Sequence, residues 1–98
     1  MIAIVWRYVA AGGAEERFAS AYGPDGDWAR LFRRAAGYMR TELLRDEAGG
    51  FATLDYWDGL ASFEAFQREF GVEYAALDAE CEALTAREEL VGLFEVLA

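Results

Sequence analysis

The stretch YMRTELLRDEAGGFATLDYW, residues 38 to 57, decides how the chain folds. Tyr38 to Arg45 alternates in polarity as a strand does, and Phe51 to Trp57 carries the aromatic and apolar side chains of a second strand. Between them, Asp46-Glu47-Ala48-Gly49-Gly50 is a turn whose glycines can supply positive φ. The stretch reads as a β-hairpin, flanked by strand then helix on one side and by helix then strand on the other.

Upstream, Ile2 to Val9 shows no helical period and ends at Ala11-Gly12-Gly13, which makes it a strand. Glu15 to Tyr22 is a short helix that Gly23-Pro24-Asp25-Gly26 interrupts. Trp28, Leu31, Phe32 and Ala35 then recur at helical spacing, with Asp27 as the expected N-cap. Downstream, Asp58 is the expected cap of a helix that carries Leu60, Phe63, Phe66 or Gln67, and Phe70, and Gly71 breaks or bends the chain. Tyr74, Leu77, Cys81 and Leu84 form a further stripe, and Glu89 to Leu97 is the expected last strand. The order βαββαβ, with each helix in two pieces, predicts an α+β fold: one ferredoxin-like domain over residues 1–98 with a four-stranded antiparallel sheet.

Composition narrows the function. Nine Arg and no Lys stand against eighteen acidic residues, a net charge of −9, so the positive field that nucleic-acid binding needs is absent. The chain has no His, the commonest general base and transition-metal ligand. The acidic clusters show no metal-ligand spacing, so no metal is expected. A single Cys, Cys81, forms no internal disulfide and reads as a small core residue in a reduced, cytoplasmic protein. The segment from Met1 to Arg7 has no basic start, and no run approaches the ~20 apolar residues of a membrane span, so no membrane association is expected.

Side-chain parity adds a second expectation. Ile2, Ile4, Trp6, Tyr8, Phe51, Thr53, Asp55, Trp57, Leu90, Phe94 and Val96 are expected on one face of the strands; Ala3, Val5, Arg7, Val9, Leu43, Ala52, Leu54, Tyr56, Val91 and Leu93 are expected on the other. Neither is the polar face of a half-solvated antiparallel sheet. Helices cover one face, so a homodimer in which two sheets pack face to face, a dimeric α/β barrel, is expected.

Three segments resemble the antibiotic biosynthesis monooxygenase-like family of dimeric α/β barrels: Tyr22 to Phe32, Gly37 to Asp46, and Tyr56-Trp57-Asp58 with Phe63 and Phe66. The resemblance runs over nearly the whole chain and implies that fold. The family includes cofactor-free oxygenases of phenolic compounds, haem-degrading enzymes and proteins without known activity. The haem-degrading branch uses Asn, Trp and His where this chain has Arg7, Phe66 and Ala76, and no His exists to ligate iron, so no haem is expected.

A cofactor-free oxygenase needs less. A deprotonated phenol or quinol can itself reduce oxygen, provided the protein holds the anion and excludes water. The expected catalytic residues are Arg7, as anion stabiliser, and Tyr56, as donor or proton relay. The bland alternatives are an ion pair between Arg7 and an acid such as Glu95, and a core role for Tyr56. Trp28, Phe32, Phe66 and Tyr74 are the expected walls of an aromatic substrate pocket, although the same spacing marks any core helix. Trp57 is expected to anchor the sheet against the second subunit. The rival to the oxygenase is a non-catalytic dimer that binds an aromatic small molecule.

Overall fold

The computed structural model of the chain describes residues 1–97. Its elements are β1 (Ile2–Ala10), α1 (Glu15–Tyr22), α2 (Asp27–Phe32), β2 (Tyr38–Arg45), β3 (Phe51–Trp57), α3 (Leu60–Glu69), α4 (Gly71–Cys81), a 3-10 turn (Glu82–Leu84) and β4 (Thr85–Glu95). The sheet is four-stranded with order β2-β3-β1-β4, and every neighbouring pair is antiparallel. This is the expected ferredoxin-like fold.

The boundaries of β2 and β3 are those the hairpin implies. β4 instead begins at Thr85, before the expected Glu89, because Arg87, Glu88 and Glu89 pair with Val9, Tyr8 and Arg7 despite their charge. Neither Asp27 nor Asp58 caps a helix with its side chain; Gly26 and Gly59 hold the N-cap positions. Asp27 accepts a hydrogen bond from Arg30 instead, at 2.7 Å.

Register fixes what each face carries. Across the sheet run the rows Arg45-Phe51-Tyr8-Glu88, Leu43-Thr53-Trp6-Leu90, Thr41-Asp55-Ile4-Leu93 and Tyr38-Trp57-Ile2-Glu95. These side chains point toward the helices. A register shift in β4 between the partners of Val5 and Trp6 places Leu93, rather than Phe94, on this side.

The core lies between these rows and the helices. Phe18 of α1 stacks on Tyr22 at 4.2 Å between ring centroids and meets Phe51 at 4.7 Å. Phe32 of α2 contacts both Trp57 and Phe66 of α3 edge-on. Trp57 and Phe66 are 0% exposed. The expectation that Trp57 faces a second subunit is corrected here: its parity is that of Ile4 and Tyr8, the bulkier set, which the helices cover.

Gly37, at φ +90, joins α2 to β2 where Ser62 of α3 and Asp58 leave no room for a Cβ. Its carbonyl accepts from the Asp58 N–H at 2.8 Å, which ties the start of β2 to the end of β3. No helix among the described residues is long and apolar enough to cross a membrane.

Candidate functional site

A cavity of about 250 Å³ opens between the helix-facing side of the sheet and α1, α2 and α4. β1 contributes Trp6 and Tyr8, two residues apart and therefore on one face of the strand. Tyr22 closes the end of α1, where Gly23 stops the helix. Trp28 and Phe32 enter from α2 at i and i+4, and Tyr74 enters from α4 with its ring 5.0 Å from that of Trp28. Thr53 and Asp55 of β3 form the floor, and the exposed carboxylates Asp78 of α4 and Glu88 of β4 stand at the rim.

Asp55 is the chemically distinctive group. Its carboxylate accepts a hydrogen bond from Thr41 Oγ1 at 2.6 Å. With the Thr41 proton so used, the Tyr38 hydroxyl donates to Thr41 Oγ1 at 2.8 Å, so a relay Tyr38-Thr41-Asp55 runs across β2 and β3. Burial pushes the Asp55 pKa up from 3.8 to about 6, against the opposing pull of the Thr41 hydrogen bond. A carboxylate tuned close to neutrality, in a cavity of aromatic rings, can take a proton from a weak acid and return it.

The cavity tyrosines are tuned the other way. Burial, reinforced by Tyr22 and by the charges of Asp55 and Glu88, raises the Tyr8 hydroxyl. Burial also raises Tyr22, which then feels Cys81, Glu88 and Asp78. Both stay protonated, so each hydroxyl has a proton to offer as a hydrogen-bond donor. The buried indole N–H of Trp28 has no hydrogen-bond partner among the described residues.

Of the six residues expected to form the site, Trp28, Phe32 and Tyr74 meet in this cavity. Phe66 lies behind them, 5.2 Å from Phe32 and 6.3 Å from Tyr74, and belongs to the core rather than to the cavity lining. Arg7 and Tyr56 lie on the opposite side of the sheet. Arg7 is 58% exposed and pairs with Asp46 of the hairpin turn at 3.1 Å, not with Glu95. Tyr56 donates to Glu42 at 2.7 Å, and the Arg40 guanidinium covers its ring at 4.1 Å. Placing those two in the pocket assumed that the helices cover the Ala3-Val5-Arg7 face. They cover the other one, because Tyr8, Phe51 and Trp57 offer more apolar volume to bury.

Asp55, Trp6, Tyr8 and Tyr22 were missed. The signal for Asp55 was present: an acid of the same parity as Phe51, Thr53 and Trp57, in a strand otherwise fit for burial.

No protein-family model and no curated protein matches the sequence. Solved structures do match the fold. SnoaB, a cofactor-independent oxygenase from Streptomyces nogalater, is 24% identical with a TM-score of 0.69, over 99% of this chain and 93% of its own. A Deinococcus radiodurans protein assigned provisionally to the antibiotic biosynthesis monooxygenases is 18% identical, with a TM-score of 0.72 over 100% and 94% of the two chains. NE2512 of Nitrosomonas europaea, a protein of unknown function, is 21% identical with the same TM-score, 0.72, over 99% and 89%. At identities this low the likeness is one of architecture, and the chain has the ferredoxin-like fold of the antibiotic biosynthesis monooxygenases over nearly its whole length.

Proposed function

We propose that the chain is a cofactor-independent oxygenase of a phenolic or quinol-type aromatic small molecule, working as a homodimer. The observation that carries this reading is Asp55, a carboxylate raised to about 6 on the floor of an aromatic-walled cavity. Asp55 removes the phenolic proton, and the electron-rich anion passes one electron to oxygen. The substrate radical and superoxide combine to form a C–O bond at the ring carbon. The resulting hydroperoxide loses the remaining hydrogen of that carbon and breaks its O–O bond. One oxygen atom stays as a carbonyl; the other leaves in water with the two hydrogens. The substrate supplies every electron.

Trp6, Trp28, Phe32 and Tyr74 stack on the flat substrate and keep water from the radical pair. Tyr8 and Tyr22 donate to oxygens of the substrate. The Tyr38-Thr41 relay holds the Asp55 carboxylate in place.

Oxygen uptake with a panel of naphthols and fused-ring phenols tests the reading. Consumption faster than in buffer is expected, with label from ¹⁸O₂ in the product carbonyl. Asp55→Asn should slow turnover about 100-fold or more while the fold is retained. No acceleration across the panel, with ligand binding intact, favours the rival: a non-catalytic protein that holds an aromatic molecule in the same cavity.

A further inference from the structure

The rings of the cavity surround it on several sides, while every charged side chain in its lining is acidic: Asp55 on the floor, Asp78 and Glu88 at the rim. The lining contains no arginine. A neutral polycyclic phenol has no need of the two rim carboxylates, and an acidic substrate would be repelled by them. Aromatic faces beside carboxylates suit one chemical class, because ring quadrupoles and carboxylates attract the same charge.

We propose that the site takes an aromatic substrate bearing a protonated amine, with the ammonium group at the rim between Asp78 and Glu88 and against the rings of Tyr22, Trp28 and Tyr74. This deepens the proposed function and rests on the cavity being the ligand site.

Three features support it. Glu88 and Asp55 belong to β4 and β3, two strands apart and two helix-facing rows apart, so their backbones lie roughly 15 Å from each other. The ammonium at one end therefore leaves Asp55 free to act on a phenol at the other. Asp78 is one helical turn beyond Tyr74 on α4, so its carboxylate and that ring share a face of the helix. The rim carboxylates also act across the site, since Glu88 and Asp78 each contribute to raising the hydroxyls of Tyr22 and Tyr74, after burial.

Binding is read without turnover, by quenching of tryptophan fluorescence, because Trp6 and Trp28 line the cavity. Three probes of equal ring size carry a positive, a neutral and a negative group at pH 7.5: 1-naphthylmethylamine, 1-naphthalenemethanol and 1-naphthoic acid. The amine is expected to bind about tenfold more tightly than the alcohol, and the acid most weakly. Asp78→Asn combined with Glu88→Gln should abolish the preference, bringing the amine to the affinity of the alcohol. Both positions are exposed, so the fold should persist. Glu47→Gln combined with Glu64→Gln removes the same charge from surfaces remote from the cavity and should keep the preference, which separates the rim from the overall negative charge. Equal binding of amine and alcohol, or a preference indifferent to the rim variant, overturns the proposal and leaves the oxygenase reading standing. Failure of all three probes to bind overturns both. A charge preference that persists without oxygen uptake removes the oxygenase alone.

Discussion

Asp55 sits at a strand position where a carboxylate is expensive, flanked by Leu54 and Tyr56 and facing the aromatic side of the sheet. The cost has a sign that can be measured. Between pH 3.8 and about 6 the folded chain binds a proton at Asp55 that the unfolded chain does not. This side chain therefore contributes stability at acid pH that is lost as pH rises through about 6. Asp55→Asn should raise unfolding stability relative to the parent by ~1–3 kcal/mol at pH 8 and by little near pH 4, as read by urea denaturation. A variant that gains stability while losing turnover marks a group kept for function. In the parent, kcat/KM should rise with pH through about 6 as the base ionises. Thr41→Val removes the donor that favours the ionised form, so it should move that limb to higher pH rather than only lower its height. A pH profile indifferent to both substitutions excludes Asp55 as the base. In the sequence, Arg7 drew attention as a lone charge on a strand, yet a charge with an exposed partner such as Asp46 is satisfied at the surface. Telling the two charges apart needed the identity of the covered face, which is a property of packing.

At the scale of elements, the hairpin was legible because three signals agree on it: alternation in β2, apolar and aromatic content in β3, and glycines in the turn. Its termini, Tyr38 to Arg45 and Phe51 to Trp57, follow from those signals alone. β4 was legible only in its apolar half. Its opening residues from Thr85 to Glu88 read as polar surface, and they become strand because β1 offers them backbone partners up to Ala10, with one register shift between Val9 and Ala10. The shift near Gly92 then reverses parity, so a strict count along β4 misassigns Phe94 and Leu93. On α3 the ambiguity was between pocket and core, since helical spacing is identical for both. Packing decides it for Phe66, which is enclosed by Phe32, Trp57, Phe63 and Phe70. Phe66→Ala should therefore cost ~3–5 kcal/mol in unfolding free energy, the range for a buried ring that leaves a cavity. Phe66→Leu should recover most of that loss, with ligand affinity close to the parent's. A lining residue would show the reverse: a small loss of stability and a large loss of binding.

At the scale of the whole molecule, the described residues leave one side of the sheet uncovered. Val5 and Leu54 pair at its centre, with Val9, Leu44 and Phe94 exposed around them. Leu90 and Leu93 are exposed as well, on the helix-facing side, so β4 presents apolar surface on both faces. A sheet face meant for water alternates toward polar residues. Here the polar groups lie toward the margins, as the Arg7–Asp46 pair and the Tyr56–Glu42 hydrogen bond. That pattern, an apolar centre with a satisfied polar rim, is the anatomy of an interface. The cover proposed for it is a second copy: a two-fold axis through the sheet would set the Val5 and Leu54 pairs of two chains against each other and complete a barrel. Sedimentation at micromolar concentration should give the mass of two chains. Leu54→Glu places a carboxylate in the middle of the apolar strip, beside Glu42 on the neighbouring strand, and would oppose its own symmetry mate across the interface. The variant should sediment as one chain while keeping the far-ultraviolet circular dichroism of the parent. Because the cavity lies on the opposite side of the sheet, a monomeric Leu54→Glu chain that still binds naphthols would show that the site is complete within one copy. A parent protein that sediments as one chain would mean that the bare face is covered by something else.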